Sequence, residues 1–337
     1  MADKPIVAVA GAVSVDMSLR NPPLDWYGSA GADSWVPGII KRLDAPVQMV
    51  LGGNGGVPAY VMAKSGVRAR LSAPVGTDIV GQLTRRWLED AGVELLGAPT
   101  ASTMFGLAAV DDDGRRLGCL QYPGPPVDWL AASQCDDAEW LLIGTHAQAT
   151  RADYENTLAA LEHARRAGRR TAYDCGVGWR GRMPPADMYA LWQHTDLVIG
   201  TNDELGDWTG TDDPRTIARA VLDHGPRQVT VKLGAEGAAW QGRDEPFEQE
   251  PAPRIERPNL TIGAGDSFNG GMLTVLAKGG ALGDAVAAGQ TVAAAVVESG
   301  RGVMGWVSDE PASAGKQWTT DKGQQETDNE NFDTTTA

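Results

Sequence analysis

The chain reads as an α/β protein whose core is a doubly wound, mostly parallel sheet flanked by helices. Three observations predict this class. From residue 139 onward, short β-branched apolar runs alternate with helical stretches. Near the start of the chain, PIVAVAGAVSV over 5–15 is apolar at nearly every position, as a strand covered on both faces must be. Strands separated by helices pair in parallel through right-handed crossovers.

Taken in order, residues 5–15 predict a buried first strand. Residues 20–50 hold Pro22, Pro23, Trp26, Tyr27, Trp35 and Pro37 without a helical period, and predict an excursion in short strands. GGNGG at 52–56 interrupts, and a helix follows to Ser65. VRARLSAPVG gives a strand and turn, and IVGQLTRRWLEDAG an amphipathic helix with Gly92 as its C-cap. MFGLAAV and RLGCLQY flank DDDG and predict a hairpin over 103–122. Strands at 139–145, 169–176, 196–201, 227–234 and 237–242 then alternate with helices. In the helix beginning at Arg151, Tyr154, Leu158 and Leu161 share one face. Two alanine-rich helices, 265–278 and 282–298, close the fold. Residues 306–337 are polar and aperiodic and predict a disordered tail.

The totals exclude several classes. A chain of 337 residues can bury a large core without disulfides or metals. Its formal charge of −15 argues against nucleic acid or an anionic membrane as partner. No apolar run reaches membrane-spanning length, and the N-terminus carries no signal peptide. Cys119, Cys135 and Cys175 are odd in number and far apart, which suits a reducing, cytoplasmic setting. The four histidines have no zinc-ligand spacing. Neither a GxGxxG after the first strand nor a GxxxxGK[ST] occurs, which disfavours nicotinamide-dependent and P-loop enzymes.

TIGAGD over 261–266 carries the most chemistry. A glycine turn opening a helix leaves several backbone N–H groups aimed at one spot, and the helix dipole makes that spot an anion site. Asp266 would repel a bound phosphate, so a carboxylate there points to a proton acceptor for a hydroxyl that attacks phosphorus. An isolated GxGD is equally a capped helix whose Asp suits the dipole.

Four segments in this order, GAVSVD, the glycine pair of 51–66, VGTDIVGQ and TIGAGD, resemble the ribokinase-like (PfkB-type) sugar and nucleoside kinases. The resemblance spans about 5–302. It implies a kinase domain over 1–305 with a small β lid drawn from about 17–50 and 100–123, and phosphoryl transfer from ATP with Mg²⁺ to a small sugar. A nucleoside acceptor is the alternative, motivated by Val57 and the Trp-rich lid; a ligand-binding relative with impaired catalysis is another. Pairing through the lid would make a homodimer.

By the same resemblance Asp266 falls on the catalytic base, and Gly263, Ala264 and Gly265 on the anion hole. Asp16, Gly52, Gly53 and Asn54 fall on the substrate side. Thr201, Glu204, Lys232, Gly234, Gly237 and Gln290 fall on the nucleotide side, with Glu204 tied indirectly to the metal. Several positions depart from the family pattern. Leu260 replaces an Asp that in some relatives helps hold an activating monovalent cation, which argues against potassium dependence. Thr201, Val57 and Gln290 stand where Asn is usual, and the Asp-x-Asn of the mid-chain strand is reduced to Asp174 and Gly176.

Overall fold

The structure is a computed structural model that describes residues 4–22, 43–145, 149–256 and 258–306. Trp26, Trp35, most of the stretch expected to start the lid and the residues beyond 306 expected to form the tail lie outside the described residues.

Nine strands form the main sheet: β1 (Ile6–Ala10), β4 (Arg68–Ser72), β5 (Glu94–Leu96), β8 (Trp140–Gly144), β9 (Arg170–Asp174), β10 (Leu197–Thr201), β11 (Gln228–Lys232), β12 (Ala238–Gly242) and β13 (Glu248–Glu250). Their order is β13-β12-β11-β10-β9-β8-β1-β4-β5, parallel from β11 through to β5, with β12 and β13 antiparallel at one edge. The crossover helices are α1 (Gly56–Lys64), α2 (Ile79–Ala91), α3 (Trp129–Ser133), α4 (Arg151–Arg166), α5 (Pro185–Gln193), α6 (Asn202–Thr209) and α7 (Pro214–Asp223), followed by α8 (Ala264–Ala277) and α9 (Leu282–Ser299). The apolar side chains divide into two buried clusters, one on each face of the sheet, as double winding requires.

A second sheet, ordered β3-β2-β6-β7, is built from β2 (Ser14–Arg20), β3 (Gln48–Gly52), β6 (Met104–Val110) and β7 (Arg116–Tyr122). It packs on the body through a small apolar cluster of Val50, Ala108, Val110, Leu260 and Ile262. The expected hairpin turns at Gly114, where φ is +73°, a value glycine adopts without steric cost.

The single strand expected over 5–15 is two strands in two sheets. The main chain leaves the large sheet after Ala10, because the glycine segment 52–56 packs against it there. A Cβ at Gly11 would lie 2.8 Å from the Gly55 nitrogen. The N–H groups of Gly55 and Gly56 both donate to Ala12 O, at 2.9 and 3.1 Å. The second sheet therefore begins at Ser14, ahead of the expected residue 17. Helices α3 and α6 and the short strands β5 and β13 carry too few residues for periodicity to reveal them.

Candidate active site

The strand sequence reverses direction between β1 and β8, and ligands of doubly wound sheets bind at such a crevice beyond the strands' C-terminal ends. Asn54 fills this crevice. Its Oδ1 accepts the Ala12 N–H at 3.0 Å, and a Cβ at Gly144 would lie 2.8 Å from its Cγ. Gly53 adopts φ +91°, which lets the turn fold over Ala12 and Val13. The amide of Asn54 thus bridges the turn and the β1 terminus.

Asp16 projects from β2 between two glycines on neighbouring strands. A Cβ at Gly52 would overlap its Oδ2, and one at Gly106 would lie 2.5 Å from its Oδ1. Ser14 Oγ donates to Oδ1 at 3.0 Å. Burial raises the Asp16 pKa, against the pull of the Ser14 hydrogen bond and of Arg116 on β7. Ser14 and Gly106 were not singled out from sequence; only strand pairing places them beside Asp16.

The α8 N-terminus has the features of an anion site. Gly263 is the N-cap at φ +80° and no side chain among the described residues caps the helix. The Ala264 N–H is occupied by Thr261 O at 3.2 Å, and the first intrahelical bond runs from Ser267 N to Gly263 O at 2.9 Å. The N–H groups of Gly265 and Asp266 have no protein partner among the described residues. Packing does not require glycine at 265, where a Cβ would meet only Lys232 Nζ at 3.7 Å. Gly270 and Gly271 on the same helix contrast with it. Cβ atoms there would lie 2.7 Å from Val61 Cβ and 2.9 Å from Val292 Cγ2, so these two are packing glycines.

Asp266 is half-buried in the first turn of α8. Its pKa is pushed up to about 7, first by burial and then by the Asp174 carboxylate; Lys232 opposes the rise, and Glu204 and Asp16 add to it. Beneath the turn lies a buried polar group linking β9, β11 and α8. Lys232 Nζ donates to Asp174 Oδ1 at 3.3 Å and to Asn269 Oδ1 at 3.4 Å, and Asn269 Nδ2 donates to Asp174 Oδ2 at 2.8 Å. Burial works against the Lys232 ammonium, but Asp174, Glu204 and Asp266 outweigh it and its pKa is raised. Asn269 was not singled out from the sequence, and Asp174 was noted only as the remnant of the family's Asp-x-Asn pattern. The available signal was an Asn three residues after Asp266 in the same helix, a spacing that makes the two neighbours on its surface.

A cleft of ≈ 580 Å³ opens beside the turn. Lys232, Gly234, Gly237, Ala264, Gly265 and Gln290 all line it, so most expected nucleotide-side residues converge there. Phe268, Ala293, Ala294 and Val297 give it an apolar wall. Gln290 is 7% exposed and its Oε1 has no partner among the described residues. Thr201 and Glu204 do not line this cleft. They form a capping box at the start of α6: Glu204 Oε2 accepts the Thr201 N–H at 2.8 Å, and Thr201 Oγ1 accepts the Glu204 N–H at 3.2 Å.

Comparison with known proteins gives a consistent result. The sequence model of the pfkB family of carbohydrate kinases matches residues 34–304. The 5-dehydro-2-deoxygluconokinase of Photobacterium profundum is 27% identical over 311 residues, covering 87% of this chain and 89% of its own. The deoxyribokinase of Salmonella typhi is 26% identical over 238 residues, covering 68% and 76%. The structure of Arabidopsis thaliana ribokinase complexed with ribose and ATP superposes with a TM-score of 0.69 at 20% identity, covering 90% of this chain and 96% of that one, which establishes the common fold.

Proposed function

The chain belongs to the pfkB family of carbohydrate kinases, and on that premise we propose that it transfers the γ-phosphoryl group of ATP to a hydroxyl of a small sugar, with Asp266 as general base. The observation that carries this reading is the pairing, within one helix turn, of two N–H groups without a partner among the described residues (Gly265, Asp266) with a carboxylate whose pKa is about 7. A base poised near the working pH combines a large ionised fraction with a useful driving force for proton transfer.

In the reaction Asp266 takes the proton of the acceptor hydroxyl as its oxygen bonds to the γ-phosphorus. The bond from that phosphorus to the β–γ bridging oxygen breaks, and ADP departs. The Gly265 and Asp266 N–H groups face the charge spread over the transferring oxygens, an arrangement that stabilises the transition state more than the ground state. Asp16 binds acceptor hydroxyls, because a carboxylate accepts from two neighbouring O–H groups at once. The apolar wall of the cleft suits the nucleobase.

Magnesium bound with the nucleotide would neutralise phosphate charge. Among the described residues no three His, Cys, Asp or Glu converge into a protein-only metal cage. A hard cation carried largely by phosphates and water needs few protein ligands, and Glu204, held at its own helix start, would act on it only indirectly. Leu260 is fully buried in an apolar cluster with Val50, Ala108, Val110 and Ile262, which supports activity without a monovalent cation.

The test is acceptor-dependent ADP release from ATP across a panel of neutral sugars, sugar acids and nucleosides. We expect turnover with one sugar class and none in Asp266→Asn. A nucleoside as the preferred acceptor would replace the sugar reading. Binding of ATP with no phosphate transferred to any acceptor would favour a catalytically impaired relative.

A further inference from the structure

We propose that Asp174, anchored by Asn269, is the positioning residue of this site: it holds the Lys232 ammonium beneath the glycine turn, where that single charge is shared between Asp174 and the base Asp266. The inference rests on the reading of Asp266 as the base, and it assigns a task to residues outside the glycine-turn motif.

The geometry is specific. Lys232 is the last residue of β11 and Asp174 the last residue of β9, so the lysine reaches past the end of β10 to meet its partner. Both carboxylate oxygens of Asp174 are engaged, one by Lys232 and the other by Asn269, which is itself the second acceptor for Lys232. Lysine has three donors. Two are directed to Asp174 and Asn269, and the ammonium lies 3.7 Å from the position of a Cβ at Gly265. Its side chain is 10% exposed and that of Asp174 is 6% exposed. An unpaired charge at such a position would be costly, and the three-way arrangement removes that cost while keeping a cation under the anion site.

The charged groups that act most on Asp266 are Asp174 from β9, Lys232 from β11, Glu204 from α6 and Asp16 from β2. Lys232 is the only cation among them. Removing Asp174 takes away the nearest negative charge and leaves the Lys232 ammonium to Asp266 and Glu204, which stabilises the ionised form of Asp266. Removing Lys232 leaves Asp266 among three carboxylates and destabilises that form. The two changes therefore move the base in opposite directions, which general loosening of the fold cannot do.

The experiment is a ¹³C NMR titration of the Asp266 carboxyl in the full-length protein, assigned by its loss in Asp266→Asn, for wild type, Asp174→Asn, Lys232→Met and Lys232→Arg. The midpoint should fall by about one pH unit in Asp174→Asn, rise by about one in Lys232→Met, and stay near wild type in Lys232→Arg. The acid limb of the pH–rate profile should follow the same shifts. A midpoint that is unmoved or rises in Asp174→Asn overturns the proposal, and that variant decides alone should Lys232→Met fail to fold. The titration needs no turnover, so absence of phosphoryl transfer in wild type would count against the kinase reading and leave this result separately readable.

Discussion

The carboxylate of Asp16 occupies the space that a Cβ on Gly52 would fill. The two residues sit on paired strands, with Ser14 directly opposite Gly52 and Asp16 opposite Val50. Glycine at 52 therefore keeps open the volume into which Asp16 projects. Removing this acid with Asp16→Asn should raise KM for the acceptor roughly tenfold to a hundredfold, the worth of a hydrogen bond to a charged group. KM for ATP should stay unchanged. Gly52→Ala should reproduce the effect by displacing the carboxylate. Steady-state kinetics with each substrate varied checks this, and an equal rise in both KM values would remove Asp16 from the acceptor side.

Asp266→Asn should lower kcat by about 10²–10⁴-fold, with nucleotide binding retained. Wild-type turnover should fall as pH drops through about 7, where Asp266 takes up its proton. Stability should move the other way. Its folded pKa of about 7 lies above the ordinary value of 3.8, so between these values the folded protein holds more protons than the unfolded chain. Stability then declines as pH rises through that window. Asp266→Asn should melt higher than wild type at pH 8, with the difference closing towards pH 4. Thermal melts across pH, set beside the rate profile, test both signs.

Gly265 and Gly270 share a helix but should fail differently. Gly265→Ala meets no backbone and should hold or raise stability, since alanine is favoured over glycine in helices by about 0.5–1 kcal/mol. It should still lose most turnover, because the methyl intrudes where phosphate approaches. Gly270→Ala would press on Val61 and Pro58 and should cost about 1–3 kcal/mol. Denaturant unfolding together with kcat separates the two; a Gly265→Ala variant with normal turnover would argue against the anion hole.

Turnover should be the same in potassium, sodium or choline salts at equal ionic strength, because Leu260 contributes to an apolar cluster where a cation-binding Asp would stand. A severalfold activation by potassium would show that other oxygens supply the site.

The sequence alone was enough for the fold class and the glycine turn, since both are local. A parallel α/β sheet announces itself through alternating runs, and TIGAGD marks a glycine turn, a helix start and a carboxylate in the first turn, all of which are found. The same local logic located Gly92 as a helix end, where φ is +87°. Tertiary structure alone decided which residues meet across the site. Gly11 had to yield to Gly55, which split one apolar run between two sheets. Glu204 had to satisfy the backbone of its own helix start, so it caps Thr201 and stands off the cleft. Asp174, Lys232 and Asn269, up to 95 positions apart, became one buried group because an ion pair out of water requires every partner at hydrogen-bonding distance. Such pairing depends on sheet order and helix docking, which no window of sequence contains.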